Sequence, residues 1–181
     1  MKSIVECIRK IVWFFRMLIL ICKHGEEKLL KDLLTKALSR FCLEEFGERE
    51  IKRAERHKSS LCGIMFDLDG LKQINDGEGG HDAGDRALRV ISNIFQKICR
   101  ATDILLRMGG DEFFMLLPEI SELGVEQLLE RVKKEIKKEK LSISASSYFW
   151  KKNMTLEELV KGADADLYRN KNSKKKKPEK I

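Results

Sequence analysis

The hydrophobic residues of the chain recur with two different periods, and each period predicts one kind of element. Short apolar runs and one alternating stretch are typical of strands; they cover 61–66, 104–108, 113–117 and 141–149. Apolar residues three and four positions apart predict helices; they cover 26–58, 82–100, 125–136 and 155–168. The order is therefore helix, strand, helix, hairpin, helix, strand and helix.

That order predicts an α+β fold. A central hairpin between two helical crossovers gives a ferredoxin-like, palm-type split βαβ unit: an antiparallel-rich sheet flanked by helices, which we expect on one face, after an N-terminal helical lead. Two helix starts carry capping signals. Asp82 is the expected N-cap of the helix over 82–100, and Thr155 with Glu158 forms a capping box.

The N-terminal segment is apolar and carries a regular basic stripe. "IVWFFRMLILIC" (11–22) is interrupted by Arg16, and it is shorter than the roughly 20 residues that span a bilayer. The basic residues recur every seven positions, at Lys2, Arg9, Arg16 and Lys23. Such a helix suits a membrane interface or a protein surface, with a true span as the third interpretation. No small-residue cleavage site follows, which argues against a signal peptide.

These patterns divide the chain into four parts. They are a hydrophobic N-terminal helix at 1–24, a helical lead-in at 25–58, a main domain at 59–172 and a basic, disordered tail at 173–181.

Charge and cysteine usage narrow the environment. The chain has 36 basic and 29 acidic residues, a net charge of +7, and five of its lysines lie in the tail "SKKKKPEKI". A solvated tail explains most of the surplus, and the balance is compatible with an anionic partner. The five cysteines lie far apart, with no C-x-x-C pair. This spacing argues against a zinc site or a disulfide framework and indicates a cytoplasmic protein.

Four acidic residues lie where predicted strands meet turns. Asp67 and Asp69 follow the first strand, and Asp111 and Glu112 follow a glycine pair in the hairpin. In a split βαβ sheet these strands are neighbours, so we expect Asp67 and Asp111 to face each other. Carboxylates that close repel unless a cation compensates, and Mg²⁺ takes carboxylates together with phosphates. The pattern favours a metal at Asp67 and Asp111 and a turn role for Asp69, with both roles open for Glu112.

Five segments of the chain form a recognisable set. They are "DLLTKALSR" (32–40), "DLDGLKQIND" (67–76), "GHDAGDRAL" (80–88), "RMGGDEF" (107–113) and "ADADLYRNK" (163–171). In this order they resemble the GGDEF domain of the diguanylate cyclase family, over about residues 30–172. The resemblance implies condensation of two GTP to cyclic di-GMP and two pyrophosphates, at a site shared by two antiparallel domains of a homodimer. It also implies Mg²⁺ or Mn²⁺, and no nucleic-acid partner is expected.

The resemblance assigns metal and catalytic roles to residues at the strand ends. Asp67, Asp111 and the backbone carbonyl of Leu68 would bind the metal. Asp111 is also the candidate base for the attacking 3′-hydroxyl, and Glu112 is its catalytic neighbour. Because a metal-bound carboxylate is a weak base, the metal role of Asp111 is the better supported.

Further residues match substrate and product contacts of the family. The substrate set is Asn75 and Asp85 for guanine, Lys72 and Lys171 for phosphates, His81 for the supporting loop, and Gly109 and Gly110 for close approach of a phosphate. Arg107 lies near the site, either in a functional role or in a surface ion pair. Arg100 and Asp103 match the R-x-x-D motif that binds product and causes product inhibition; a helix-end pair is the alternative.

The region that resembles the family departs from the family pattern in several places. The loop between Asn75 and Asp85, "NDGEGGHDAGD", is one residue longer, and a reshaped loop would disturb their joint contact with guanine. Other departures are Lys36, Ser39, Ser146, Asp166 and Asn170. Two alternative functions follow: a catalytically inactive receptor for cyclic di-GMP or GTP, or another palm-type nucleotidyl cyclase.

Overall fold

A computed structural model describes the backbone of residues 30–175 and the side chains of residues 30–167. Within these residues the elements are, in chain order, β1 (Leu38–Ser39), α1 (Cys42–His57), β2 (Leu61–Leu68), α2 (Leu71–Asp76), α3 (Gly80–Ile98), β3 (Ile104–Gly109), β4 (Glu112–Pro118), α4 (Glu122–Lys138), β5 (Ile143–Phe149) and α5 (Leu156–Lys175). The predicted N-terminal helix lies outside the described residues. Helix α5 continues three residues into the predicted tail, and residues 176–181 lie outside as well.

The described strands form one five-stranded sheet in the order β1-β3-β4-β2-β5. Strand β2 is central and pairs antiparallel with β4 on one side and β5 on the other. Strands β3 and β4 form the hairpin, and β1 adds a short parallel edge to β3. The predicted split βαβ, antiparallel-rich sheet is therefore confirmed.

Helices cover both faces of this sheet, so the expectation of a single helical face is wrong. One buried cluster joins β2 and β4 to α3 and α4 through residues such as Phe66 and Phe95. The other joins the same strands to α1 and α5 through residues such as Phe114 and Leu159. All eight residues of β2 are buried, as expected for a strand that is covered on both sides.

The lead-in differs from the predicted continuous helix over 26–58. Helix α1 begins only at Cys42, and residues 31–37 form a turn before β1. Asp32 accepts hydrogen bonds from the amide and hydroxyl of Thr35, at 2.8 and 2.7 Å, and Lys36 has a positive φ of 60°. A short acidic side chain that bonds its own backbone competes with helix formation. The apolar spacing was therefore misleading, and Leu33 is 70% exposed.

Two other helix starts can be compared with the prediction. Helix α3 begins at Gly80 after Gly79, so Asp82 lies in its first turn and is not the N-cap. It still lies at the positive end of the helix dipole. The capping box of α5 is confirmed, because the Thr155 amide donates to Glu158 and the Glu158 amide donates to the Thr155 hydroxyl. No helix within residues 30–175 is long and apolar enough to cross a membrane.

Candidate functional site

Strands β2, β4 and β5 bring their ends together at one edge of the sheet. The register pairs Asp67 with Glu112 on one side and with Ser144 on the other. The amide of Leu68 donates to the carbonyl of Asp111 at 3.2 Å. Asp67 therefore faces Glu112 directly, and Asp111 lies one position nearer the turn. The expectation that Asp67 and Asp111 face each other is wrong by one residue, because β4 begins only at Glu112 and Asp111 still belongs to the hairpin turn.

The three acidic residues at this edge differ in exposure. Asp67 is only 7% exposed, whereas Asp111 is half-buried and Glu112 is exposed. Burial makes a charged carboxylate costly unless it is compensated by a hydrogen bond, an opposite charge or a cation. The fold thus removes one carboxylate from water while its two neighbours stay accessible.

The hairpin turn leaves open space beside these acids. Gly109 and Gly110 have φ values of 151° and 49°, which L side chains rarely adopt. A Cβ atom at either position would meet nothing within 4 Å. The turn therefore has open space beside its backbone.

Arg107 forms an ion pair, but it is not a surface one. Its Nη1 donates to Oδ1 of Asp32 at 2.9 Å, and the two side chains are 14% and 25% exposed. Its Nε and Nη2 donate to the carbonyl of Gly110 at 3.2 and 2.7 Å. Burial raises the pKa of Asp32, but hydrogen bonds from Thr35 and Arg107 outweigh it and hold that pKa below its usual value. Asp32 begins the segment "DLLTKALSR" (32–40), which resembles the family, but no nearby residue pattern indicated its contact with the hairpin.

Asp69 has the turn role that the sequence favoured. The hydroxyls of Ser142 and Ser144 donate to its two carboxylate oxygens, each at 2.7 Å. Its amide donates to the carbonyl of Ser142 at 3.0 Å. Both oxygens are thus engaged, and Asp69 ties the start of β5 to the end of β2.

Asn75 on α2 packs against Gly84, the residue before Asp85 on α3. A Cβ atom on Gly84 would lie 2.0 Å from Oδ1 of Asn75, so only glycine leaves room for this side chain. That oxygen is buried and has no hydrogen-bond donor among the described residues. The side chain of Asp85 is about half exposed, and its Oδ2 lies 3.9 Å from Nη2 of Arg89. The longer loop contains glycines, with Gly80 at a φ of 55°, and Asn75 still packs beside the residue that precedes Asp85.

The remaining substrate candidates lie on three helices. Lys72 on α2 and His81 in the first turn of α3 are both exposed. Lys171 lies in α5 beyond the residues whose side chains are described.

Arg100 and Asp103 form a turn between α3 and β3. The carboxylate of Asp103 accepts from the backbone amide of Arg100 at 2.7 Å, and the Asp103 amide donates to the Arg100 carbonyl at 3.1 Å. Burial raises the pKa of Asp103, and the amide and charge of Arg100 offset this only in part. Arg100 is exposed. The contact is therefore a backbone turn and leaves the guanidinium on the surface.

The oxygen donors at the sheet edge suit a hard divalent cation. Within the described residues no group of three or more His, Cys, Asp and Glu side chains is arranged to hold a metal by itself. The predicted set has two carboxylates, from Asp67 and Asp111, and the carbonyl of Leu68. Mg²⁺ is typically held by one or two carboxylates and completes its octahedron with substrate phosphates and water. The residues present therefore fit Mg²⁺ or Mn²⁺ that arrives with a nucleotide.

Comparison with known sequences points to one family. The model of the family described as "Diguanylate cyclase, GGDEF domain" matches residues 29–177. The chain is 35% identical to the diguanylate cyclase DosC of Escherichia coli K12 over 147 residues, which are 76% of this chain and 32% of DosC. It is 38% identical to the diguanylate cyclase DgcP of Pseudomonas aeruginosa over 154 residues, which are 80% of this chain and 23% of DgcP. The chain thus spans a third or less of the length of these relatives.

Solved structures give the same result. The coiled coil and GGDEF domain of DgcB from Caulobacter crescentus, in complex with cyclic di-GMP, matches with a TM-score of 0.89 and 21% identity over 94% of this chain and 95% of that one. At that identity the likeness shows the fold. A microbial GGDEF domain that interacts with cyclic di-GMP matches with a TM-score of 0.76 and 32% identity over 82% of this chain and 94% of that one.

Proposed function

Because this chain belongs to the GGDEF domain family of diguanylate cyclases, we propose that it condenses two GTP to cyclic di-GMP and two pyrophosphates. The observation that carries the proposal is the sheet edge, where buried Asp67 faces Glu112 and Asp111 lies beside an open glycine turn. In each of two steps a 3′-hydroxyl oxygen bonds to the α-phosphorus of the other nucleotide. The bond to the β-phosphate oxygen breaks, and pyrophosphate leaves with that electron pair.

Metal ligands are proposed at the hairpin. Asp67, Asp111 and the carbonyl of Leu68 would hold Mg²⁺ or Mn²⁺, which supplies positive charge to the triphosphate when it is bound. Asp111 is also the candidate acceptor of the hydroxyl proton, and Glu112 is its exposed catalytic neighbour. Gly109 and Gly110 let a phosphate approach the backbone, because no side chain fills the space above them.

The guanine base is proposed to bind at the start of α3. A carboxylate at Asp85 can accept from both N1–H and N2–H of guanine, and the amide of Asn75 can pair with an acceptor on the same base. Adenine lacks that pair of donors, which argues against another palm-type cyclase that uses adenine nucleotides. Lys72 and Lys171 would neutralise phosphates, and His81 would support the loop.

Catalysis requires two nucleotides, so each domain would hold one GTP in a homodimer. The proposal is tested by incubating purified protein of known oligomeric state with GTP and Mg²⁺ or Mn²⁺ and separating the nucleotides by chromatography. Asp111→Asn should lower product formation about 10³-fold, since a metal ligand contributes several kcal/mol of charge stabilisation. Glu126→Gln, an exposed change on α4, is the control and should match wild type. Equal turnover by wild type and Asp111→Asn, or no cyclic di-GMP from a confirmed dimer, would contradict the proposal.

A receptor function is the second candidate, and the exposed Arg100 beside Asp103 favours it. A guanidinium can bind phosphate and stack on guanine. If the same turn mediates product inhibition, Arg100→Ala should weaken cyclic di-GMP binding in calorimetry and relieve inhibition by added product. Unchanged binding would remove both roles from this turn.

Residues 1–24 carry the third part of the proposal, either dimerisation or contact with a membrane surface. Deleting them separates the two roles. Loss of dimer in light scattering supports the first, and loss of sedimentation with anionic liposomes supports the second. A truncated protein that keeps both properties would exclude both roles.

A further inference from the structure

The turn at residues 31–37 is held by contacts far away in sequence. Oδ1 of Asp32 accepts three hydrogen bonds: from the Thr35 amide at 2.8 Å, from the Thr35 hydroxyl at 2.7 Å and from Arg107 at 2.9 Å. The first two set the shape of the turn. The third crosses 75 positions of sequence to reach the hairpin.

Arg107 passes this contact on to the candidate metal site. While Nη1 binds Asp32, Nε and Nη2 both donate to the carbonyl of Gly110. The next residue, Asp111, accepts a hydrogen bond from the amide of Leu68 through its own carbonyl. A continuous series of contacts therefore runs from Asp32 to two of the three proposed metal ligands.

A second series of contacts leads from the same turn to the helix that carries Asp85. The carbonyl of Thr35 accepts from the hydroxyl of Ser92 at 2.9 Å and from the side-chain amide of Gln96 at 3.0 Å. Both donors lie on α3. Thr35 and Ser92 are 2% and 0% exposed, so the bond between them is shielded from water. The 31–37 turn thus contacts both the hairpin strand that carries Arg107 and the helix that carries Asp85.

The hairpin turn needs such support, because its own residues provide little. Gly109 and Gly110 have no side chains to pack, and the positions of their absent Cβ atoms are open. Glycine loses more conformational freedom on folding than any other residue. A planar guanidinium with two N–H groups on one carbonyl restricts the direction of that carbonyl, and lysine cannot reproduce this geometry.

We propose that Asp32 is a positioning residue for the reaction. By holding Nη1 of Arg107, it keeps the other two donors of the guanidinium on the Gly110 carbonyl and so fixes the turn from which Asp111 reaches the metal. It touches neither substrate nor metal and acts only through Arg107. The reaction itself is the one proposed above, so this inference rests on that proposal.

The test uses Asp32→Asn, Arg107→Lys and the double variant in the full chain. Asp32→Asn keeps an oxygen acceptor but removes the negative charge that pairs with Arg107. Arg107→Lys keeps the positive charge but removes the planar set of guanidinium donors. Residues that orient metal ligands typically change activity or metal affinity by about 10–100-fold, and we expect kcat to fall within that range. Because both changes weaken the same contact between Asp32 and Arg107, the double variant should be no worse than the worse single one.

Two readouts do not depend on turnover. The first is hydrogen exchange of the Leu68 amide, measured by NMR, which should speed up at least about 10-fold when the Gly110 carbonyl is released. The second is the affinity for Mn²⁺ in the presence of a non-hydrolysable GTP analogue, which should weaken by about 10-fold or more. If wild type proves inactive, the proposed function fails, and these two readouts still decide the positioning role.

A matched control is the exposed ion pair between Glu135 and Lys138 on α4, with a distance of 2.7 Å. Glu135→Gln removes a contact of similar length away from the hairpin and should change none of the readouts. The inference is overturned if Leu68 exchange and Mn²⁺ affinity in Asp32→Asn and Arg107→Lys equal those of wild type. A fall in melting temperature alone, without those changes, would also overturn it and leave Asp32 a purely structural role.

Discussion

Two halves of the candidate site are held by different kinds of contact. The hairpin half, Asp67, Leu68 and Asp111, is positioned by strand register and by a backbone hydrogen bond between neighbouring strands. The helix half, Asn75 and Asp85, depends on side-chain packing where Gly84 lets α2 approach α3. Backbone ladders form whatever side chains they carry, whereas packing responds to single atoms. Substitutions in the hairpin half should therefore change chemistry in an intact fold, and those in the helix half should act through geometry.

The largest effect is expected for Asp67→Asn in the hairpin half. The change conserves shape at a residue that is 7% exposed and removes the charge that would hold the metal. We expect product formation to fall about 10³-fold, on the scale of several kcal/mol for a metal ligand. Mn²⁺ binding with a GTP analogue should be lost, and circular dichroism should show an unchanged fold. Retained Mn²⁺ binding would exclude Asp67 as a ligand.

A smaller effect, mainly on KM for GTP, is expected for Gly84→Ala in the helix half. The new methyl group would lie 2.0 Å from Oδ1 of Asn75, so the Asn75 side chain must move. Overpacking of this kind costs about 1–3 kcal/mol of unfolding free energy. We expect KM for GTP to rise about 10-fold with a smaller change in kcat, as when ground-state binding is lost.

Gly77→Ala is the matched control for that prediction. Its methyl group would lie 3.4 Å from the carbonyl of Ile74, a contact on the border of ordinary packing, and its φ is −80°. It should leave KM unchanged. Equal KM values for Gly84→Ala and wild type would mean that Asn75 does not contribute to binding of guanine.

A smaller effect on metal affinity is expected for Asp69→Asn. Asp69 lies next to the hairpin half of the site but is not one of its proposed ligands. The amide can still accept from one serine, but its nitrogen cannot accept from the other. The loss of one hydrogen bond should lower the unfolding free energy by about 1 kcal/mol. Loss of a residue that orients a metal ligand typically weakens metal affinity about 10–100-fold. Asp69 has a turn role instead, so we expect the Mn²⁺ affinity of Asp69→Asn to stay within about 3-fold of wild type. Loss of Mn²⁺ binding would show instead that Asp69 is a ligand.

The smallest functional effect is expected at the cysteines. Cys62 on β2 and Cys99 after α3 have their thiol pKa values raised to about 12 by burial. At pH 8 their thiolate fractions should be roughly 10³-fold below that of an ordinary thiol. Iodoacetamide should label both only slowly in the folded protein, as read by mass spectrometry of tryptic peptides, without loss of activity. Rapid labelling of the native protein would contradict the burial of these thiols.

The same thiols have a consequence for stability. Above pH 9 the unfolded chain loses thiol protons that the folded chain keeps, so the unfolded state binds fewer protons. The unfolding free energy contributed by these groups therefore falls as the pH rises from 9 toward 12. Denaturant titrations of Cys99→Ala, compared with wild type, should show a weaker decline over that range.

Some parts of the molecule could be predicted because their signals are local. Apolar runs around the glycine pair at 109–110 specify the hairpin, and the acids beside it follow directly in the chain. The lead-in could not be predicted in the same way. Its apolar spacing suits a helix, but Asp32 finds its partner 75 residues away and turns the chain instead.

By itself the sequence determined the order of the longer strands and helices from residue 61 onward, the family and the residue types that can bind metal and guanine, since each depends on patterns within a few positions. Only the tertiary structure decided that helices cover both faces of the sheet and that Asp67 faces Glu112. It also decided that Asp69 binds the serine at the start of β5 and that Arg107 binds Asp32 in the lead-in turn. These outcomes depend on strand register and on contacts between distant segments, which form only when the chain is packed.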